Sequence, residues 1–300
     1  MKKAMRAMAE GDLMEADIFL EAIENTAHLN VKAAGWVSWA RGYLAEQAAD
    51  FAGAYKHYSR AAQFMPHNPD LEVYTGWLAF NMGDYKNSMT HYEAALANRM
   101  RRYGEHDPVV AADLRNLGAV AAYLEDYREM YEYYERALLI DLQAYGESRP
   151  EVAVDRSNVG RALSYMKEYG KAIPHFEQAL ALNLKHYGKD APAILDDYER
   201  LGDAWGELAD YGKSAMYYKL ALNSALKIRG AGHLDVARYQ NQLGWLQSKL
   251  GDYKNAITYY EQALLAYRKH YPEDEPKVIE IKSNLRNLRK FCEKAGCLPL

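Results

Sequence analysis

Residues 155–192 read DRSNVGRALSYMKEYGKAIPHFEQALALNLKHYGKDAP, and their pattern of small and aromatic residues predicts a specific pair of helices. Gly160 lies inside an alanine- and leucine-rich helical pattern, and a short turn then leads to Tyr169. In the helix that follows, steps of four and three place small and aromatic residues on one face, namely Ala172, Phe176 and Ala179. The stretch therefore predicts two antiparallel helices that interlock small and aromatic side chains.

The same pattern recurs along the chain. Equivalent glycines stand at Gly42, Gly76, Gly118, Gly160, Gly202 and Gly244, with spacings of 34, 42, 42, 42 and 42 residues. A glycine inside a helix costs about 1 kcal/mol relative to alanine. Six of them in one register need a packing reason, and we expect a neighbouring helix to come too close for a side chain.

Each glycine is followed by two aromatic residues in a fixed register. The first opens the second helix, at Phe51, Tyr85, Tyr127, Tyr169, Tyr211 and Tyr253. The second lies within that helix, at Tyr58, Tyr92, Tyr134, Phe176, Tyr218 and Tyr260. This order of glycine, aromatic residue and Ala-x-x-x-Tyr/Phe-x-x-Ala resembles the tetratricopeptide repeat, whose unit has 34 residues. The resemblance covers roughly residues 1–290.

The resemblance implies an all-α fold, a right-handed superhelical solenoid of antiparallel helix pairs. It implies about seven repeats and a C-terminal capping helix, which form a single solenoid over residues 1–294. Within that solenoid we expect an atypical or truncated first repeat (1–30), repeats of the 34-residue type (35–101), repeats of the 42-residue type (109–272), a capping helix (277–294) and a tail (295–300).

The longer units are similar to the 42-residue repeats of kinesin light chains, which end in a YG-x-x-x-P-like turn. Here the turns read YGEHDP (103–108), YGESRP (145–150), YGKDAP (187–192), RGAGHL (229–234) and YPEDEP (271–276). The glycine suits a left-handed helix cap and the proline suits the first turn of the next helix. RGAGHL lacks the proline and YPEDEP lacks the glycine, so these two turns depart from the pattern.

Composition excludes several classes of protein. A net charge of −4 and a pI near 6.2 argue against a nucleic-acid binder, which would carry a basic footprint. No apolar window is long enough to predict membrane insertion. Cys292 and Cys297 form no disulfide framework and are interpreted as surface thiols near the end of the chain. A cytoplasmic setting fits these features, unless a leader segment precedes Met1 in the natural gene.

Motifs for catalysis and cofactor binding are missing from the sequence. It contains no phosphate-binding loop, GxSxG elbow, HExxH pair or GxGxxG fingerprint. Its histidines are scattered, several of them in turns one repeat apart. We therefore expect no enzyme activity, no cofactor and no metal site.

The first helix of each pair is expected to line the concave side of the solenoid. With the glycine counted as position eight, positions two, five, six, nine, twelve and thirteen face this groove, an assignment that combines helical geometry with the resemblance. The predicted groove residues are Trp36, Trp39, Tyr43, Tyr74, Trp77, Arg115, Asn116, Asn158, Arg161, Asp196, Glu199, Arg200, Asp203, Arg238, Asn241, Gln242 and Trp245.

The character of these side chains changes along the predicted groove. Aromatic residues dominate the second and third units, arginine and asparagine the next two, and carboxylates the sixth. Each residue alone could equally be an ordinary exposed helix residue or one that packs between repeats. Four of the five tryptophans fall on this face, however, and exposed aromatic residues usually have a partner. The array therefore indicates a binding surface.

The side chain of asparagine can donate a hydrogen bond to an extended peptide backbone and accept one from it. Asn116 and Asn158 occupy the position for which the similarity to kinesin light chains implies that role, whereas Arg200 and Gln242 replace it in the next two units. The sequence thus predicts a protein-protein interaction module that holds a peptide segment of a partner in its groove. We expect acidic ligand residues against the fourth and fifth units and a lysine or arginine against the sixth. The alternative is a structural scaffold or self-associating subunit that uses its convex face or its ends.

Overall fold

A computed structural model describes residues 1–25, 30–295 and 297 of the chain. Throughout that part the regular structure is helical and includes no strand. The helices are α1 (Lys2–Glu10), α2 (Leu13–Glu24), α3 (Val31–Gln47), α4 (Phe51–Phe64), α5 (Pro69–Asn81), α6 (Tyr85–Tyr103), α7 (Pro108–Tyr123), α8 (Tyr127–Tyr145), α9 (Pro150–Tyr165), α10 (Tyr169–Tyr187), α11 (Pro192–Glu207), α12 (Tyr211–Arg229), α13 (Leu234–Lys249), α14 (Tyr253–Tyr267) and α15 (Pro276–Ala295). A short 3₁₀ turn, Gly146–Ser148, precedes α9.

The helices form seven consecutive pairs followed by α15. Each odd-numbered helix packs against the even-numbered helix that follows it, and α15 packs on α14. The predicted all-α solenoid with about seven repeats and a terminal helix is therefore confirmed. The chain forms two compact units, an N-terminal unit (1–146, α1 to α8) and a C-terminal unit (147–300, α9 to α15). One uninterrupted solenoid over residues 1–294 stays a prediction.

Local chemistry fixes where the helices begin. Six of the second helices start behind an aspartate whose side chain accepts a hydrogen bond from the backbone N–H three residues later: Asp12, Asp50, Asp84, Asp126, Asp210 and Asp252. Proline occupies the first turn of α5, α7, α9 and α11. Helix α13 lacks the proline, and there Nδ1 of His233 accepts from the N–H of Asp235 at 3.1 Å instead.

The glycines in the turns between helix pairs do not adopt the left-handed helical conformation that the sequence pattern predicted. Gly188 and Gly230 have φ of 76° and 82°, in the region that favours glycine, but their ψ angles are 171° and 160°. This is an extended ψ rather than the left-handed helical conformation that the sequence pattern suggested. An extended ψ carries the chain away from the completed helix, so that the next helix can start within a few residues.

A glycine–aromatic contact closes each pair from α3/α4 to α13/α14. A Cβ atom added to Gly160 would lie 2.5 Å from Cε1 of Phe176, and one added to Gly118 would lie 2.6 Å from Tyr134. The loosest of the six contacts, Gly76 with Tyr92, is 3.2 Å. The expected packing reason is confirmed, and the close neighbour is the aromatic ring of the second helix.

The two ends of the chain differ from the central repeats. Helix α1 is short, and its Ala4 is fully buried at the position expected for a small residue. Helix α15 buries apolar side chains against α14 and leaves Arg286, at the glycine position, exposed. Cys292 lies in α15 with only 1% of its surface exposed, so its interpretation as a surface thiol was wrong. Of the predicted tail 295–300, only Ala295 and Cys297 lie among the described residues.

Candidate functional site

Three clefts follow one another in the C-terminal unit, each between successive first helices. The first cleft lies between α9 and α11 (about 420 Å³), the second between α11 and α13 (about 530 Å³), and the third between α13 and α15 (about 480 Å³). Asp203 and Glu207 line both the first and the second cleft, and Trp245 lines both the second and the third. The three clefts therefore form one continuous row.

The first cleft carries both signs of charge. Arg161 and Arg200 line it together with Asp203 and Glu207. Nη1 of Arg161 donates to Oδ1 of Asn158 at 3.4 Å, within the same helix. The geometry joins the predicted groove residues Arg161, Arg200 and Asp203 around a single opening that a segment with both charges can enter.

The second cleft combines carboxylates with aromatic rings. Its charged lining consists of Asp203, Glu207 and Glu280. The rings of Trp245 and Tyr211 meet edge to face, with centroids 5.5 Å apart and planes at 88°. Three predicted groove residues, Asp203, Gln242 and Trp245, therefore line the same cleft.

Asp203 is held in the second cleft by a chain of hydrogen bonds. The hydroxyl of Tyr218 donates to its carboxylate, and Gln242 donates to the oxygen of Tyr218. Asp203 is exposed as a residue, but its carboxyl group lies against the cleft wall, and this burial raises its pKa. The nearby carboxylate of Glu207 acts in the same direction. The charged side chains that line the second cleft beside Asp203 are also carboxylates, Glu207 and Glu280.

The third cleft combines aromatic, basic and amide side chains. Trp245 and Lys249 line one side of it, with the Lys249 Nζ atom 5.4 Å from the centre of the Trp245 ring. Tyr253 and Phe291 form an aromatic corner, with ring centroids 5.0 Å apart. Asparagine side chains from α15 complete the lining, namely Asn284 and Asn287.

Four other predicted groove residues of the C-terminal unit do not line the clefts, namely Asp196, Glu199, Arg238 and Asn241. Glu199 accepts a hydrogen bond from Arg238 and lies 3.4 Å from the hydroxyl of Tyr239. Asp196 is exposed on α11. Oδ1 of Asn241 is buried and, within the described part of the chain, accepts no hydrogen bond. These residues surround the clefts without lining them.

In the N-terminal unit the predicted groove residues form aromatic stacks. Trp39 stacks on Tyr43 with ring centroids 6.1 Å apart, and Tyr74 stacks on Trp77 at 5.6 Å. Trp39 and Trp77 are exposed, whereas Trp36 is half-buried and packs against the core formed by α1, α2 and α3. Two of the three tryptophans predicted for the groove of these repeats are therefore exposed, and the third, Trp36, also supports the core.

Polar contacts hold two predicted groove residues of this unit, Tyr74 and Arg115, against neighbouring side chains. The hydroxyls of Tyr58 and Tyr74 both donate to Glu46, and burial with this carboxylate raises the pKa of both tyrosines. Nη1 of Arg115 donates to Oδ2 of the buried Asp141 at 2.7 Å. Arg115 is half-buried, as is the neighbouring Asn116.

One set of tyrosines lines the clefts although the repeat position did not predict it. Tyr169, Tyr211 and Tyr253 each open a second helix, and each lines one of the three clefts. They were assigned only to the repeat pattern. Their spacing of 42 residues was the available signal, because residues in the same register of successive repeats face the same side.

Among residues 1–25, 30–295 and 297, no group of three or more His, Cys, Asp or Glu side chains could hold a metal ion. In the same residues, none of the helices combines the length and the apolar character needed to cross a membrane.

Comparison with known proteins points to one family. A family model for the tetratricopeptide repeat matches residues 112–185 and 190–269, just over half of the chain. No curated protein matches the sequence.

Several solved structures share the fold. Tetratricopeptide-like repeats from Podosopora anserina, attributed to a kinesin light chain, are 16% identical and cover 68% of this chain and 97% of their own, with a TM-score of 0.61. BtubC (BKLC) from P. vanneervenii is 17% identical over 82% of this chain and 94% of its own, with a TM-score of 0.59. The apo form of RapI is 16% identical over 98% of this chain and 85% of its own, with a TM-score of 0.67. At these identities the likeness concerns the fold.

Proposed function

This chain belongs to the tetratricopeptide-repeat family, and we propose that it binds a peptide segment of a partner protein along the three clefts of the C-terminal unit. The observation that carries the proposal is the continuity of the row, in which Asp203, Glu207 and Trp245 each line two successive clefts. A segment that crosses from one cleft to the next keeps contact with the same side chains. Such a row suits an extended or helical peptide better than a compact small molecule.

The chemistry of the lining supports this proposal. Trp245 is 39% exposed, and aromatic residues of this kind are the usual anchors of a binding surface. Asn284 and Asn287 in the third cleft, and Asn158 beside the first, offer both donors and acceptors to a peptide backbone. Charged residues in all three clefts add selectivity for the sequence of the segment.

The competing proposal is a structural scaffold or self-associating subunit. It is favoured by apolar side chains on the outer surface of the second helices, of which Leu265 is 65% exposed and Met216 is 47% exposed. This surface belongs to α12 and α14 rather than to the first helices, so the two proposals involve different residues.

A random peptide library displayed on phage tests the proposal directly. The full chain is used for selection, and the selected peptides are then titrated against the wild type, Trp245→Ala and Met216→Ser. We expect Trp245→Ala to weaken binding by more than about 1 kcal/mol, as truncation of a central aromatic anchor does, and Met216→Ser to leave it unchanged.

Failure to select any peptide would contradict the proposal, as would binding that is insensitive to Trp245 but lost in Met216→Ser. The molar mass of the wild type and of Met216→Ser in solution then tests the scaffold proposal. A wild-type oligomer that dissociates in the variant would support self-association.

A further inference from the structure

The carboxylates that line the second cleft give it a negative charge that its other lining side chains do not balance. Among the residues that the structure describes, the charged side chains that line it are Asp203, Glu207 and Glu280, and none of its lining side chains is cationic. Arg238, a cation that acts on Asp203, forms an ion pair with Glu199. Arg200 lines the first cleft, and Lys249 lines the third. The negative charge of the second cleft is therefore left for an external group.

An aromatic corner stands beside these carboxylates. Tyr211 and Trp245 meet edge to face at 5.5 Å, and both rings line the same opening as Asp203 and Glu207. Lys249 lies over the Trp245 ring at 5.4 Å and lines only the third cleft. Aromatic faces attract a cation through their quadrupole, and this attraction adds to that of a carboxylate in the same cleft.

We infer, on the premise of the proposed function, that the second cleft receives the cationic side chain of a lysine or an arginine of the bound peptide. Its ammonium or guanidinium group contacts the carboxylates of Asp203 and Glu207, and its methylene chain packs on Trp245 and Tyr211. The cleft volume of about 530 Å³ accommodates a long side chain together with part of the backbone that carries it.

The same lining disfavours the other classes of side chain. An acidic side chain would meet three carboxylates and be repelled. An apolar side chain that filled the cleft would remove water from these carboxylates without offering a hydrogen bond in return, which is unfavourable. A cation gains both from the charge and from the aromatic wall. The inference thus assigns the ligand specificity of the sixth repeat to α11 together with α13.

A double-mutant cycle between peptide and protein tests the inference. In a peptide selected on the full chain, the shared lysine is replaced by norleucine, or the shared arginine by citrulline, so that the charge is lost and the chain length is nearly kept. The protein variants are Glu207→Gln and, as a second probe, Glu280→Gln. Both residues are exposed, so neither substitution removes a core contact. Asp274→Asn, in the exposed turn before α15, is the matched control.

We expect norleucine or citrulline to weaken binding to the wild type by about fivefold to thirtyfold, the combined effect of a partly exposed ion pair and a cation–π contact. The loss should be clearly smaller in Glu207→Gln or Glu280→Gln, and unchanged in Asp274→Asn. Peptides that bind but share no lysine or arginine would overturn the inference, as would a cycle without coupling to either carboxylate. In both cases the proposed function would stand. If no peptide is selected, both fail.

Discussion

A methyl group added to Gly160 would come within 2.5 Å of Cε1 of Phe176, so helix α9 can lie against α10 only because residue 160 has no side chain. The ring of Phe176 occupies the space that a Cβ atom would need. The equivalent distance is 2.7 Å for Gly42 with Tyr58 and 2.8 Å for Gly244 with Tyr260. The packing of each of the six pairs from α3/α4 to α13/α14 therefore depends on one glycine and one ring.

The first prediction concerns this contact. Gly160→Ala should lower the free energy of unfolding by about 1–3 kcal/mol, because the added methyl group overpacks a tight interface. The cost of this overpacking exceeds the gain in helix propensity. Urea unfolding followed by circular dichroism measures the change. The matched control is Gly170→Ala in the next helix, where a Cβ atom meets nothing within 4 Å, and this change should be stabilising by about 0.5–1 kcal/mol.

Equal stabilisation by both substitutions would contradict the role of the Phe176 ring. Gly76→Ala provides a graded test, because its closest approach to Tyr92 is 3.2 Å. We expect a smaller loss there than at Gly160.

The second prediction concerns the turns inside the pairs. Lys167 has φ of 61° and Glu125 has φ of 61°, whereas glycine occupies the same place at Gly83 and Gly251, each with φ of 79°. A positive φ is strained for a residue with a side chain. Lys167→Gly should therefore raise the free energy of unfolding by about 0.5–1 kcal/mol, since relief of strain exceeds the entropy that glycine loses. Thermal and urea unfolding measure this gain.

Gly251→Ala reverses the experiment and should be destabilising by about 1 kcal/mol. If Lys167→Gly destabilises the protein instead, the backbone at this turn carries no strain.

The third prediction is a pH dependence that arises from Asp113. Its carboxyl group is fully buried; one oxygen accepts from Arg99 at 2.6 Å, but burial outweighs this contact and raises the pKa from 3.8 to about 6. Between these two values the native state retains a proton that the unfolded state has lost. The contribution of Asp113 to the free energy of unfolding therefore decreases as the pH rises through this range.

Asp113→Asn removes this titration and leaves Arg99 paired with Asp70 at 2.7 Å. Urea unfolding of the wild type and the variant across this pH range should show that the wild type loses stability relative to the variant as the pH rises. Parallel profiles would contradict the raised pKa, which carbon NMR of the Asp113 carboxyl group can measure independently.

The fourth prediction concerns the charges of the first cleft. We expect peptides that bind the C-terminal unit to carry an acidic residue opposite Arg161, because Arg161 and Arg200 are the cations of this cleft. Arg161→Glu should weaken the binding of such a peptide by about 1 kcal/mol at low salt and by less at physiological salt, because salt screens an exposed ion pair. Lys254→Glu, on the exposed surface of α14, is the control and should change neither value.

An affinity that responds equally to Arg161→Glu and Lys254→Glu would indicate attraction by net charge alone, without a contact in the cleft.

Much of the fold could be predicted from single residues. The register of Gly160 and Phe176 predicted the helix pair, and proline at residues 150 and 192 predicted where first helices begin. These features are local, because each depends on the backbone or on a neighbour within one repeat. The extended ψ of Gly188 escaped prediction, since a positive φ allows either a helical or an extended ψ and the sequence does not distinguish them.

The candidate site was less predictable for a different reason. Position in the repeat placed Asp203 and Trp245 in the predicted groove, and in the structure both line the second cleft. It could not reveal that Glu199 is paired with Arg238, or Arg115 with Asp141, because these contacts depend on the rotamers of long side chains. Tyr211 and its equivalents form cleft walls together with residues of the neighbouring repeat. Such contacts between repeats cannot be predicted from the pattern of a single repeat.

The backbone at Gly188 and Gly230 has almost the same conformation, and the two residues are 42 positions apart. A crossover between the corresponding stretches of the gene would join two chain ends of matching geometry. It would delete or duplicate one whole helix pair and leave the reading frame intact. Repeats of this kind can therefore change in number by recombination, and the row of clefts would lengthen or shorten by one position each time. The ligand that such a protein reads can evolve in length as well as in sequence.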